Sequence, residues 1–169
     1  MNKLIVTILA MLAIGIAIYT FSSKSTTPEA TNVANEPQIP TYIDVEIKLD
    51  VAGRDVSGKL VFEFPNIKRC EEESNNKQSF IQEYNQQCTE MNGCKSIQIG
   101  SCSNYVDHKY ISMLNKQFKG SHYMHLSDPT YKNERGVIAF WGLSDAEAEK
   151  ICQGTLERSK DKSIVAECL

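Results

Sequence analysis

The sequence predicts a disulfide-stapled α+β body behind an apolar N-terminal helix. Three observations carry that expectation. Two neighbouring segments, 42–51 and 56–64, place apolar residues at every second position, the mark of strands with one wet face. Two others, 106–118 and 145–157, repeat apolar residues at helical spacing. All six cysteines fall between Cys70 and Cys168, beyond an uncharged apolar run at 4–21 that would export whatever follows it.

The totals bound the problem. A chain of 169 residues holds one domain, or one domain with a small appendage, and excludes a large multidomain enzyme. Apolar residues at 41% and charged residues at 23% describe a folded protein, although the N-terminal run inflates the first figure. A net charge of −3 disfavours nucleic acid as a partner.

Residues 1–3 form a short tail whose one charged side chain is Lys3. Residues 4–21, LIVTILAMLAIGIAIYTF, carry no charge. As a helix they rise about 27 Å, close to the hydrocarbon thickness of a bilayer. The positive-inside bias puts the N-terminus in the cytoplasm and the body in the periplasm, as a single-pass protein of a bacterial inner membrane. The run is longer than the apolar core of a cleaved signal, and no A-x-A site follows it, which favours an uncleaved anchor. The alternative is a cleaved signal that leaves the body secreted or periplasmic. No cysteine follows the run closely, which argues against a lipid anchor. Residues 22–41 are rich in Ser, Thr, Asn and Pro and bury too little to offset chain entropy. They read as a flexible linker, roughly 25 Å in r.m.s. span and about 65 Å at full stretch.

The body begins at residue 42. Ile43, Val45, Ile47, Leu49 and Val51 share one strand face, while Asp44, Glu46, Lys48 and Asp50 share the other. A turn at 52–55 leads to Leu60, Phe62 and Phe64 on one face of a second strand, ended by Pro65. Residues 75–91 predict a helix with Phe80, Ile81, Tyr84 and Cys88 inward and an Asn92-Gly93 stop. Together 42–94 form a hairpin-plus-helix extension. The remainder predicts a strand at 96–100, a helix at 106–118, strands at 122–126 and 137–141, a helix at 145–157 and a strand at 163–168. Ser144 and Glu147 supply a capping box for the second helix. The order β-α-β-β-α-β is the split βαβ of ferredoxin-like folds.

The two halves of 95–169 share a plan. Ile97-Gln98-Ile99-Gly100-Ser101-Cys102-Ser103-Asn104 runs from a strand through a glycine to Ser-Asn before a helix. Phe140-Trp141-Gly142-Leu143-Ser144-Asp145-Ala146-Glu147-Ala148-Glu149 repeats that punctuation. These motifs resemble the SPOR family of periplasmic modules, whose members join a short tail, a membrane span and a linker to a C-terminal βαββαβ domain. The resemblance covers 95–169 and leaves 42–94 outside. It implies binding of peptidoglycan glycan strands, especially those stripped of stem peptides, on the open sheet face. Gln98 and Ser101 match the family motif and are the implied contacts. Trp141 is added on physical grounds, because an aromatic face stacks on a sugar ring and its parity can place it on the same sheet face.

The even cysteine count predicts three disulfides. No C-x-x-C pair is present, so a thioredoxin-type, zinc or haem-attachment reading has no support. With the first and last strands of 95–169 adjacent, as that fold requires, Cys94 meets Cys168. Cys102 then joins Cys152, and Cys70 joins Cys88. No catalytic residue, metal site or cofactor is assigned. Cys102 with His108 would make a nucleophile pair, but an even number of exported cysteines is expected to be bridged, and Asp145, Glu147 and Glu149 serve the helix dipole. On a strand, His122 and His125 face opposite sides and cannot chelate together. The expected function is therefore non-enzymatic binding in the cell envelope, with peptidoglycan as partner. The alternative is a periplasmic protein-binding module, such as an inhibitor or immunity protein, whose partner is an envelope protein.

Overall fold

The computed structural model describes residues 38–51, 53–75, 86, 88, 93–119, 122–127, 134–159 and 165–169. The expected anchor at 4–21 and most of the linker lie outside these residues, as does most of the helix expected at 75–91. Among the described residues no helix is long and apolar enough to cross a membrane.

The protein is α+β. In chain order its elements are β1 (Thr41–Val51), β2 (Arg54–Phe64), α1 (helical over 67–75), β3 (Cys94–Ile99), α2 (His108–Leu114), β4 (Tyr123–Ser127), β5 (Arg135–Trp141), α3 (Asp145–Ser159) and β6 (Val165–Cys168). The six strands form one sheet in the order β3-β1-β2-β5-β4-β6, with every neighbouring pair antiparallel. The hairpin follows from the period-two pattern. Thr41 pairs with Phe64 and the register holds to Val51 opposite Arg54, with Gly53 taking φ 81° in the turn. A helix at 67–75 was not expected from the sequence.

Two features of the sheet correct the expectations. The hairpin occupies the centre of the sheet, so the strands of 95–169 do not close on one another. β3 and β6, the first and last strands of the βαββαβ order, lie at opposite edges rather than side by side. Five strand spacings, about 24 Å, separate them. That distance rules out the Cys94–Cys168 bridge, which needs Cα atoms within about 7 Å. None of the three expected pairings forms. The bridges are Cys70–Cys102, Cys88–Cys94 and Cys152–Cys168, with Cα separations of 6.0, 5.1 and 5.9 Å. Each ties a residue of helical conformation to a sheet edge or to the loop just beyond it.

One face of the sheet carries the larger core. Ile43, Val45, Ile47, Leu49, Val56, Leu60, Phe62, Ile97, Leu126 and Ile138 are buried there, against Cys70, Cys88, Ile151 and Cys152. Strand glycines let aromatic rings lie flat in this layer. Gly58 pairs with Phe140, and a Cβ on it would meet that ring at 2.7 Å. The opposite face carries a smaller cluster, where Tyr110, Met113 and Leu114 of α2 pack on Val61, Val137, Ala139 and Tyr123.

The Glu147 arm of the expected capping box forms, while the Glu147 N–H bonds to the Ser144 carbonyl. The Ser144 backbone N–H and hydroxyl both donate to Glu147 Oε2 at 2.8 Å, and Arg54 donates to Oε1 at 2.7 Å. These bonds, the backbone N–H first, hold the Glu147 pKa down at about 2. The carboxylate therefore favours folding above its ordinary value of 4.5, and that contribution fades as pH falls toward 2. Gly142, at φ 87°, turns the chain from β5 toward α3.

Non-reducing peptide mapping is expected to return Cys70–Cys102, Cys88–Cys94 and Cys152–Cys168. The closed loops span 32, 6 and 16 residues. Paired Cys→Ala removal should cost about 4, 2 and 3 kcal/mol in that order by chemical denaturation. A Cys94–Cys168 peptide would overturn the strand order.

Candidate functional site

The register defines which side chains share the face opposite the main core. Ser96 and Gln98 stand there on β3, with Asp44, Glu46 and Lys48 on β1, Ser57 and Lys59 on β2, and Ala139 and Trp141 on β5. α2 has seven residues and packs over β5 and β4. Beyond Val61 of β2, which it also buries, it leaves most of the β3-β1-β2 half of this face open.

The result is a groove of about 430 Å³ lined by Glu46, Lys48, Ser57, Lys59, Tyr110 and Trp141, with Asp107 and Lys109 on its helix side. A second hollow of about 200 Å³ adjoins it through Lys59, Asp107 and Tyr110 and reaches Ser101, Ser103 and Tyr105. Trp141 is 37% exposed and Tyr105 82%. The Trp141 ring meets Tyr110 edge to face, with centroids 6.4 Å apart at 88°. The Lys109 ammonium lies 5.3 Å from the Trp141 centroid and 5.0 Å from that of Tyr110.

Charge in the groove is mostly paired. Lys59 Nζ lies 2.5 Å from Asp44 Oδ2 and 3.1 Å from Glu46 Oε1. Burial works against the Lys59 ammonium, but these carboxylates outweigh it and hold its pKa above the ordinary value. Burial likewise raises the Tyr110 phenol, which keeps it neutral and able to donate a hydrogen bond. Gly100 lets the chain pass close to this face, because a Cβ on it would strike the Asp44 carboxylate.

The sheet latches α2 in place through one carbonyl. Leu114 O accepts from His125 Nε2 at 3.1 Å and from Arg135 at 3.0 Å, while Arg135 forks onto Glu63 at 2.9 and 3.1 Å. Lys116, just past the helix, pairs with Glu167 of β6 at 2.7 Å. His125 is buried, and its Nδ1 has no partner among the described residues. Burial first, then the Lys116 charge, pushes its pKa below the ordinary imidazole value.

The expected site residues separate. Gln98 and Trp141 do share the open face. Three strand spacings, about 15 Å, part them, and Gln98 stands at the rim in the row of Glu46 and Lys59. Ser101 lines the second hollow beyond the end of β3. Sequence reasoning missed Lys59, Lys48, Lys109 and Tyr110. The polar alternation of β2 was the available signal for Lys59, and that of β1 for Lys48. Tyr110 read as core, and it is buried at 4% exposure, but it also forms a groove wall.

Other candidates resolve into structure. Cys102 is bridged to Cys70 and is no nucleophile. His122 lies 3.7 Å from Asp145 while His125 faces Leu114, so the two imidazoles have different neighbours. A cavity of about 100 Å³ between α3 and β4-β5-β6, lined by Met124, Ile138, Phe140, Ile151 and the Cys152–Cys168 bridge, is too small for a sugar chain. The chain matches no family model, no curated protein and no solved structure.

Because the unfolded chain binds a proton at His125 more readily than the folded one, stability should fall as pH drops from about 7 to 5, through the ordinary imidazole value. His125→Gln keeps a donor to Leu114 O and should flatten that decline. An unchanged pH profile, followed by urea denaturation, would remove His125 as its source.

Proposed function

We propose that this protein is a non-catalytic binding protein of the cell envelope that holds peptidoglycan glycan strands on its open sheet face. The single observation that carries the reading is the groove itself. It combines a half-exposed indole with hydrogen-bonding side chains on a sheet that α2 leaves open. Pyranose rings offer an apolar face for stacking and a rim of hydroxyls, and a groove of this composition matches both.

Three disulfides suit an oxidising compartment, and the apolar segment at 4–21 supplies an anchor that would keep the body in the periplasm. The SPOR-like motifs at 97–104 and 140–149 point to the same ligand class. The strand order differs from that of a ferredoxin-like unit. Gln98 at the rim and Ser101 in the adjoining hollow extend the contact surface along a strand of sugars.

Full-length protein in mild detergent should co-sediment with isolated sacculi, and more so after amidase treatment exposes bare glycan. Trp141→Ala should weaken retention roughly tenfold, the loss of one good stacking contact, while Trp141→Phe should keep most of it. Absence of co-sedimentation would overturn the reading. Recovery of one stoichiometric protein from an envelope extract would turn it toward a protein-binding module.

A further inference from the structure

Resting on the glycan reading above, we propose that the groove selects saccharides bearing a carboxylate and that Lys48 and Lys109 recognise it. The three groove lysines are not equivalent. Lys59 is already engaged by Asp44 and Glu46 and is mostly covered, at 21% side-chain exposure. Among the described residues Lys109 has a single carboxylate within reach, Asp107 at 4.0 Å, and that side chain also accepts the Lys109 backbone N–H at the start of α2. Its ammonium instead rests over the rings of Trp141 and Tyr110. Lys48 is exposed and has no ion-pair partner among the described residues.

The register places these charges around the indole. Lys48 pairs with Ser57, and Ser57 with Trp141, so the three form one row across β1, β2 and β5. Two strand spacings, about 10 Å, lie between Lys48 and Trp141, a span a disaccharide covers. The groove lining carries Lys48, Lys59 and Lys109 against Glu46 and Asp107, and Glu46 is bonded to Lys59. One row beyond Lys48, Asp50 and Asp55 are both held by Lys95. The lining beside Trp141 therefore carries a small positive excess, supplied by Lys48 and Lys109. A sugar that covers the indole must also displace Lys109 from it. A carboxylate on that sugar or its neighbour gives the displaced ammonium a partner, which a neutral sugar does not.

Trp141 is the single tryptophan of the chain, so its emission reports the groove directly. The probe is an oligosaccharide alternating N-acetylglucosamine and N-acetylmuramic acid, with its carboxylates free, compared with the same chain as methyl ester. The free acid should bind roughly fivefold tighter at low salt, the scale of two solvated ion pairs. The difference should shrink at high salt. Lys48→Ala with Lys109→Ala should erase it, and Arg at both positions should restore it. Equal binding of acid and ester, or a preference that survives the double Ala variant, would overturn the charge selection and leave the glycan reading in place. Binding of neither form would overturn both.

Discussion

The pairing of β1 with β2 is the constraint on which the other features depend. In the register that runs from Thr41–Phe64 to Val51–Arg54, every apolar residue from Ile43 to Val51 is turned to one side of the sheet. The polar residues between them are turned to the other side. A slip of one residue would put Ile47 and Leu49 in water and Lys48 in the core. The same parity therefore builds the large core and the groove. It also seeds the sheet in both directions, since β3 adds to β1 and β5 adds to β2.

What makes one face a core and part of the other a groove is unequal cover. The main core layer is closed by α1 and α3 and by residues bridged to the sheet edges. The opposite face has α2, a seven-residue helix held by the shared Leu114 carbonyl and by the Lys116–Glu167 pair. Such a helix covers β4, β5 and the Val61 end of β2. The polar side chains of β1 and β2 match this, because Asp44, Glu46 and Lys59 satisfy one another without a roof. Trp141 sits at the boundary, with one side against Tyr110 and part of its surface in the groove.

The disulfides follow from the same geometry. Cys88–Cys94 lies at the β3 edge, Cys70–Cys102 joins α1 to the loop beyond it, and Cys152–Cys168 joins α3 to the β6 edge. Both edge strands are short, at six and four residues, and the bridges hold them where backbone pairing reaches from one side alone. A small domain with a modest core gains most from links at its periphery.

Much of this was legible along the chain. The hairpin, the α+β class, the order of elements after residue 94, the Glu147 arm of the capping box at Ser144 and the presence of three bridges all arise from local period, turn chemistry and count. These depend on neighbours a few residues apart. The open-face parity of Gln98 and Trp141 was legible for the same reason. Strand order, cysteine pairing and the groove's lysines were not, because they depend on which strand lies beside which. Pairing choice is a property of the folded sheet, and it was decided when the hairpin took the centre. That placement sent β3 and β6 to opposite edges, separated Cys94 from Cys168, and set Lys48, Ser57 and Trp141 in one row.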